Sequence, residues 1–252
     1  MKKAIFITVR MDSSRLPNKT MKKILGKPVL EHIIYRAQQT TAFDGIIVCT
    51  TQRGVDDQVE QLARACGVEV FRGSLEDKLE RWNGAAKHYG VDYIVTFDGD
   101  DLFCDPYLLD KGAEQIMEGK YDFIEAPPGL ICGAFTYAFT GKALAKVCTI
   151  KNTDDTEMMW TYFKDSGLFR TGYLEEVEVD YFSDKYRLTL DYPEDFEFFT
   201  RVFQHFNCGN NGVPLKEIIE YFKEHPEIPE INIGRQQEFL ENQRMRTKLI
   251  LK

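Results

Sequence analysis

Three stretches of this chain gather charge where strands should end. Between Val9 and Lys27 stand six basic side chains, Arg10, Arg15, Lys19, Lys22, Lys23 and Lys27, against one acid, Asp12. Arginine and lysine supply charge for an anion such as phosphate, and the hydroxyls of Ser13 and Ser14 with the loop amides add short hydrogen bonds. The second stretch, TFDGDDLFCDP, holds Asp98, Asp100 and Asp101 close together. Carboxylates so near one another repel unless a cation or a helix N-terminus offsets them. Mg²⁺ is a hard cation that takes carboxylate and phosphate oxygens together. Capping accounts for Asp105 before Pro106, and a turn accounts for Asp101. The third stretch, RLTLDYPEDFEFF, sets Asp191 ahead of a helix opened by Pro193. The helix dipole suffices to explain Glu194 and Asp195, but not Asp191.

The elements that must carry these residues alternate. Residues 3–9, 44–51, 68–73 and 92–101 read as strands, and 28–39, 56–67, 75–90 and 105–119 as helices. Strands alternating with helices of this length imply βαβ units and a parallel sheet. Ligands of such sheets bind at the C-terminal strand ends, where the basic loop and the FDGDD cluster both fall. Beyond residue 120 the pattern loosens. DFIEAP and ICGAFTYAF read as strands, 153–165 as a helix, and LEEVEVDY and KYRLTLDY as a pair of strands. Helices are expected again over 193–206 and 214–225. The polar tail 231–252 reads as a helix packed on a partner subunit or left mobile. With no linker or repeat, residues 1–252 form one domain.

The 252 residues carry a net charge of −8. An acidic balance speaks against general nucleic-acid binding and leaves room for a local basic pocket. Six cysteines without CxxC spacing and four histidines give no zinc signature; reduced thiols in a cytoplasmic protein are expected. The N-terminal apolar run is too short for a signal peptide, and no run reaches the roughly 20 apolar residues needed to span a membrane.

The stretch RMDSSRLPNK, followed six residues later by GKPVLEH, resembles the opening signature of the cytidylyltransferases that make CMP-activated sugars. That group includes the CMP-Kdo synthetases, the acylneuraminate cytidylyltransferases and the spore-coat-polysaccharide type. The resemblance implies a twisted three-layer α/β sheet, mostly parallel, of the nucleotide-diphospho-sugar transferase kind (glycosyltransferase-A-like, Rossmann-like), with a small antiparallel extension. It makes Arg10, Ser13, Ser14, Arg15 and Lys19 the triphosphate loop. The family's GD-x-P segment maps its metal-binding aspartate onto Asp100, although here the proline comes later, at Pro106. Its RLTxDxPED motif makes Asp191 the second carboxylate for Mg²⁺. FRGSLEDKLERW is similar to the RGS-x-x-D-V-L-x-R segment of the spore-coat branch, near the base and sugar. The matching positions are Arg72, Gly73, Ser74, Asp77 and Arg81, with Asp98 at the nucleotide. Asp77 and Arg81 are equally readable as an i,i+4 helix pair worth about 0.3–0.5 kcal/mol.

An acceptor pocket is expected from 127–135 and 152–163, including Glu157, with Tyr137 and Trp160 lining it. Arg187 is a candidate phosphate or substrate contact, or a partner for the acids. The expected reaction is Mg²⁺-dependent transfer of CMP from CTP to an acidic sugar or a sugar phosphate, in a homodimer. Three alternatives stand beside it: another triphosphate such as GTP with an aminosugar phosphate, a glycosyltransferase using the DGD pair Asp98 and Asp100, or a non-catalytic nucleotide-binding protein.

Overall fold

The computed structural model describes residues 1–13, 15–208 and 212–252. The chain opens with β1 (Lys3–Thr8), a run buried on both faces, as a central parallel strand requires. A hairpin of β2 (Lys23–Ile24) and β3 (Lys27–Pro28) follows the basic loop, then α1 (Val29–Ala37). Alternation continues through β4 (Gly45–Thr51), α2 (Asp57–Ala65), β5 (Glu69–Gly73), α3 (Lys78–Tyr89), β6 (Tyr93–Asp98) and α4 (Pro106–Met117). The second half holds β7 (Phe123–Glu125), β8 (Tyr137–Thr140), α5 (Gly141–Ile150), α6 (Trp160–Lys164) and β9 (Thr171–Tyr173). Three helices complete the chain: α7 (Pro193–Phe206), α8 (Leu215–Glu224) and α9 (Gln236–Arg246).

Seven strands form one sheet in the order β5-β4-β1-β6-β8-β7-β9. The four strands from β5 to β6 are parallel; β8 runs antiparallel to both β6 and β7. β2 and β3 form a separate small antiparallel sheet. The strand period sorts side chains into two cores. Ile5, Ile7, Val48, Val95 and Phe97 join α1, α2, α4, α7 and α8 on one face. Ala4, Phe6, Ile47, Cys49 and Ile94 join α3, α5 and α6 on the other. The expected three layers are therefore present.

The second half departs from expectation in three places. α5 lies where no helix was expected; Thr140 caps it by accepting from the Ala143 amide at 3.1 Å, and Ala143, Leu144 and Val147 bury its inner face. The helix expected over 153–165 shrinks to α6, because Thr156 is drawn away to bond Asp77 and the Leu79 amide. The strand pair expected from 174–181 and 185–192 does not form. Leu188 and Leu190 alternate because they enter the core, while their amides donate singly to Cys132 and Asp100 carbonyls, both at 2.8 Å. Among the described residues no helix is long and apolar enough to cross a membrane.

Gly99 fixes how β6 delivers its acids. Its amide donates to the Thr8 carbonyl at 3.1 Å, and a Cβ there would strike the Val9 side chain and lie 2.6 Å from the Thr8 carbonyl oxygen. The ends of β1 and β6 touch only because this side chain is missing. Gly99→Ala is expected to lower stability by about 1–3 kcal/mol through overpacking, measured by urea unfolding, and to weaken ligand binding beyond that loss.

Candidate active site

The site lies at the C-terminal ends of β1 and β6, closed by the segment leading into α7. Lys19 opens a single turn of 3-10 helix after the basic loop. Its ammonium donates to Asp100 Oδ2 at 2.9 Å, the Leu190 carbonyl at 2.9 Å and Asp191 Oδ1 at 3.2 Å. Arg15 Nη2 reaches Asp191 Oδ1 at 2.6 Å, with its guanidinium 5.1 Å from the Tyr192 ring centre. Two aspartates far apart in sequence thus converge on one cation. The Leu190 amide bonded to the Asp100 carbonyl holds their two backbones together.

Behind Asp191 lies a buried polar network. Arg187 donates to Asp195 Oδ1 at 3.0 Å and to Asp191 Oδ2 at 3.2 Å. Asp195 Oδ2 accepts from the Asp191 and Tyr192 amides at 2.8 and 2.9 Å, and Asn232 Nδ2 donates to Asp195 Oδ1 at 2.9 Å. Arg187 is fully buried. Of the two roles expected for it, the structure shows Arg187 as the partner of the acids. Asp195 likewise does more than complement a helix dipole. Nothing in the sequence distinguished it from Glu194, since both sit in the first turn and only the fold shows which faces inward.

Burial and charge set the protonation of this cluster. Burial raises the Asp100 pKa, and the Asp191 and Asp98 charges add to that against the opposing pull of Lys19. Burial also opposes the charge on Asp191, but Lys19, Arg15 and Arg187 outweigh it and hold its carboxyl below the usual range. Lys19 is held above its ordinary value because the two aspartates overcome its burial. Asp101 is buried beside Asp100 and Asp98 and sits well above the carboxylate range, chiefly through desolvation.

A second group forms on the β5 side. Arg10 Nη1 donates to the Leu75 carbonyl at 3.3 Å, and its Nη2 stands 3.6 Å from Glu157 Oε2. Lys78 stands 3.5 Å from Asp98 Oδ1. Burial works against the Glu157 charge, yet Lys78, Arg10, Arg81 and Arg246 outweigh it and keep the carboxylate ionised. Asp98 therefore faces Lys78, whereas Asp100 shares Lys19 with Asp191. Lys78 is a site residue that the sequence did not flag, because it reads as one more lysine in a helix first turn.

The remaining expected residues build this rim. Asp77 caps α3 by accepting from the Glu80 amide at 3.0 Å, pairs with Lys151 and accepts from Thr156. Arg81 donates to the Ser74 carbonyl at 2.6 Å and more weakly to that of Leu75. Asp77 and Arg81 form no ion pair with each other, and both are buried, which corrects the helix-pair expectation. Ser74 Oγ accepts from the Asp77 amide, and Gly73 lets β5 lie against Arg81. Arg72 is spent on the Thr51 and Arg53 carbonyls and on Asp57 and Glu60, away from Lys19. Ser13 Oγ accepts from the Leu16 amide at 3.4 Å, and Ser14 lies outside the described residues. Trp160 and Tyr137 stack with centroids 6.3 Å apart.

A parallel sheet whose strand ends bring a cationic loop against two carboxylates is the arrangement of a nucleotidyltransferase. A cytidylyltransferase from Leptospira borgpetersenii superposes with a TM-score of 0.82 at 28% identity, over 90% of this chain and 96% of that one. A CMP:2-keto-3-deoxy-manno-octonic acid synthetase complexed with CTP shares the fold, with a TM-score of 0.62 at 17% identity over 81% and 99%. In sequence, an uncharacterized protein of Methanocaldococcus jannaschii is 33% identical over 90% of this chain and 92% of its own length. The spore coat polysaccharide biosynthesis protein SpsF of Bacillus subtilis is 28% identical over 88% and 94%. The family model described as cytidylyltransferase matches residues 4–242, and the chain belongs to that family.

Two outcomes follow from the buried charges. Arg187→Met strands Asp195 and Asp191 without a counter-charge and is expected to cost about 3–5 kcal/mol, measured by urea unfolding. Asp101 has a folded pKa above its unfolded value, so its charge costs stability as pH rises through the folded pKa. Asp101→Asn should therefore gain on the wild type as pH rises above the ordinary carboxylate range, the difference in melting temperature growing until the folded Asp101 has ionised.

Proposed function

We propose that this protein transfers CMP from CTP to an acidic sugar or a sugar phosphate and releases pyrophosphate, in the synthesis of a cell-surface polysaccharide. The observation that carries the reading is the meeting of Lys19 and Arg15 with Asp100 and Asp191. The loop supplies cations for a triphosphate, and the facing carboxylates supply hard oxygen donors. The donor set also fits Mg²⁺: two carboxylates and the Leu190 carbonyl already gather around one cation. Mg²⁺ characteristically binds through one or two carboxylates plus substrate phosphates.

Asp100 and Asp191 would hold that ion, which supplies charge neutralisation on the phosphate oxygens when bound. Arg10, Arg15 and Lys19 clamp the triphosphate and stabilise charge on the departing pyrophosphate. The attacking oxygen comes from the acceptor, in line with the leaving group. Arg187 and Asp195 keep the Asp191 carboxylate turned toward the loop. Glu157 and Lys78 stand on the acceptor side with Trp160 nearby. The transfer is read as direct from CTP to the acceptor, with no covalent enzyme intermediate.

Melting curves with CTP, GTP, ATP and UTP, each with Mg²⁺, test this. A ligand at about 100 times its dissociation constant adds about 2.7 kcal/mol to the folded state. A CTP-selective rise is expected, followed by pyrophosphate release with an acidic sugar from a panel. Asp100→Asn is expected to abolish that release. A rise only with another triphosphate would replace the base, and no rise with any would overturn the reading.

A further inference from the structure

Each described cation expected to hold triphosphate stands against an acceptor of the chain itself. Arg10 faces Glu157, Arg15 is on Asp191, and Lys19 is on both aspartates. Lys19 is the extreme case. An ammonium has three protons, and three oxygens lie around it: Asp100 Oδ2, Asp191 Oδ1 and the Leu190 carbonyl. Held this way, it has no proton left for a phosphate. Charge is also closed. Lys19 and Arg15 balance Asp100 and Asp191, while Arg187 is balanced by Asp195. A divalent ion entering the point where both carboxylates converge would meet the ammonium already there.

We infer that Lys19 is an internal counter-cation occupying the place of the divalent ion, and that the ion takes Asp100 and Asp191 only as Lys19 swings onto a phosphate. This rests on the triphosphate reading above and adds its binding order. The long flexible stem of lysine permits the exchange without moving the backbone. A metal–triphosphate complex retains negative charge, which the released Lys19 and Arg15 offset. Metal alone therefore binds weakly, triphosphate alone binds weakly, and each strengthens the other by the same factor.

Manganese serves as the probe, its free concentration read by electron paramagnetic resonance, with and without CTP. Wild type should bind Mn²⁺ alone weakly and at least about tenfold more tightly with CTP, within the usual span of such couplings. Lys19→Met and Lys19→Gln should each bind Mn²⁺ alone about tenfold more tightly than wild type does, with the CTP enhancement largely lost. Their melting temperatures provide a second readout, since removing Lys19 leaves Asp100 without its counter-charge. Mn²⁺ alone should restore stability to the variants and add little to wild type. Unchanged Mn²⁺ affinity in both variants, or wild type binding the ion equally well without CTP, overturns the exchange while leaving the transfer reading intact. Wild type that takes up no Mn²⁺ even with CTP overturns both.

Discussion

The Asp195–Arg187 pair is the interaction on which the site rests. Asp195 spends one oxygen on two successive amides and the other on Arg187 and Asn232. Removing a charge from water is costly, and a buried pair is tolerated only when its remaining hydrogen-bonding positions are filled; here several partners meet that condition. The result is directional. The residues before α7 have no strand ladder to hold them, yet Asp191 is fixed toward β1 because the amides on either side of its carbonyl are claimed by Asp195. Phe239 of α9 closes over Arg187, 4.6 Å from its guanidinium, and Gln236 accepts from it at 3.0 Å. Water is thereby kept from a charge network that would lose strength if wetted.

The two halves of the cleft are built differently. The nucleotide half stands on parallel strands, with Gly99 and the Leu190–Asp100 backbone bond setting its width. The opposite half is irregular chain from 151 to 159, stitched at Asp77, which joins the α3 N-terminus to Lys151 and Thr156. The strand frame is fixed by its ladder, whereas a stitched loop can vary in sequence while its anchors stay buried.

Much of this was legible in the chain, for reasons that can be named. The parallel strands β1, β4 and β6 are largely apolar runs separated by helices, so local pattern and tertiary burial agree. Arg10, Arg15, Lys19, Asp100 and Asp191 stand in spacings that few other arrangements produce, and the structure brings the last four together. Arg187 and Asp195 were visible as charges but not as a pair, since burial is a property of the whole fold. KYRLTLDY has the period of a strand, yet the amides of Leu188, Leu190 and Asp191 go to three different neighbours, Cys132, Asp100 and Asp195. α5 was hidden because its cap, Thr140, ends a strand and opens a helix in one step. Asp77 read as a substrate-side residue or as half of a helix pair because its partners Lys151 and Thr156 lie in a segment whose course only the fold reveals.

The chain termini lie at unlike places. Met1 is exposed beside the start of β1, at the end of the parallel strands away from the site. Lys252 donates its amide to the Ile150 carbonyl, and Asn152 donates to that of Ile250. The last residues therefore clasp the base of the segment that carries Glu157. A tag or fused domain at the N-terminus would hang free of the candidate site, whereas one at the C-terminus would lever directly on the segment that carries Glu157.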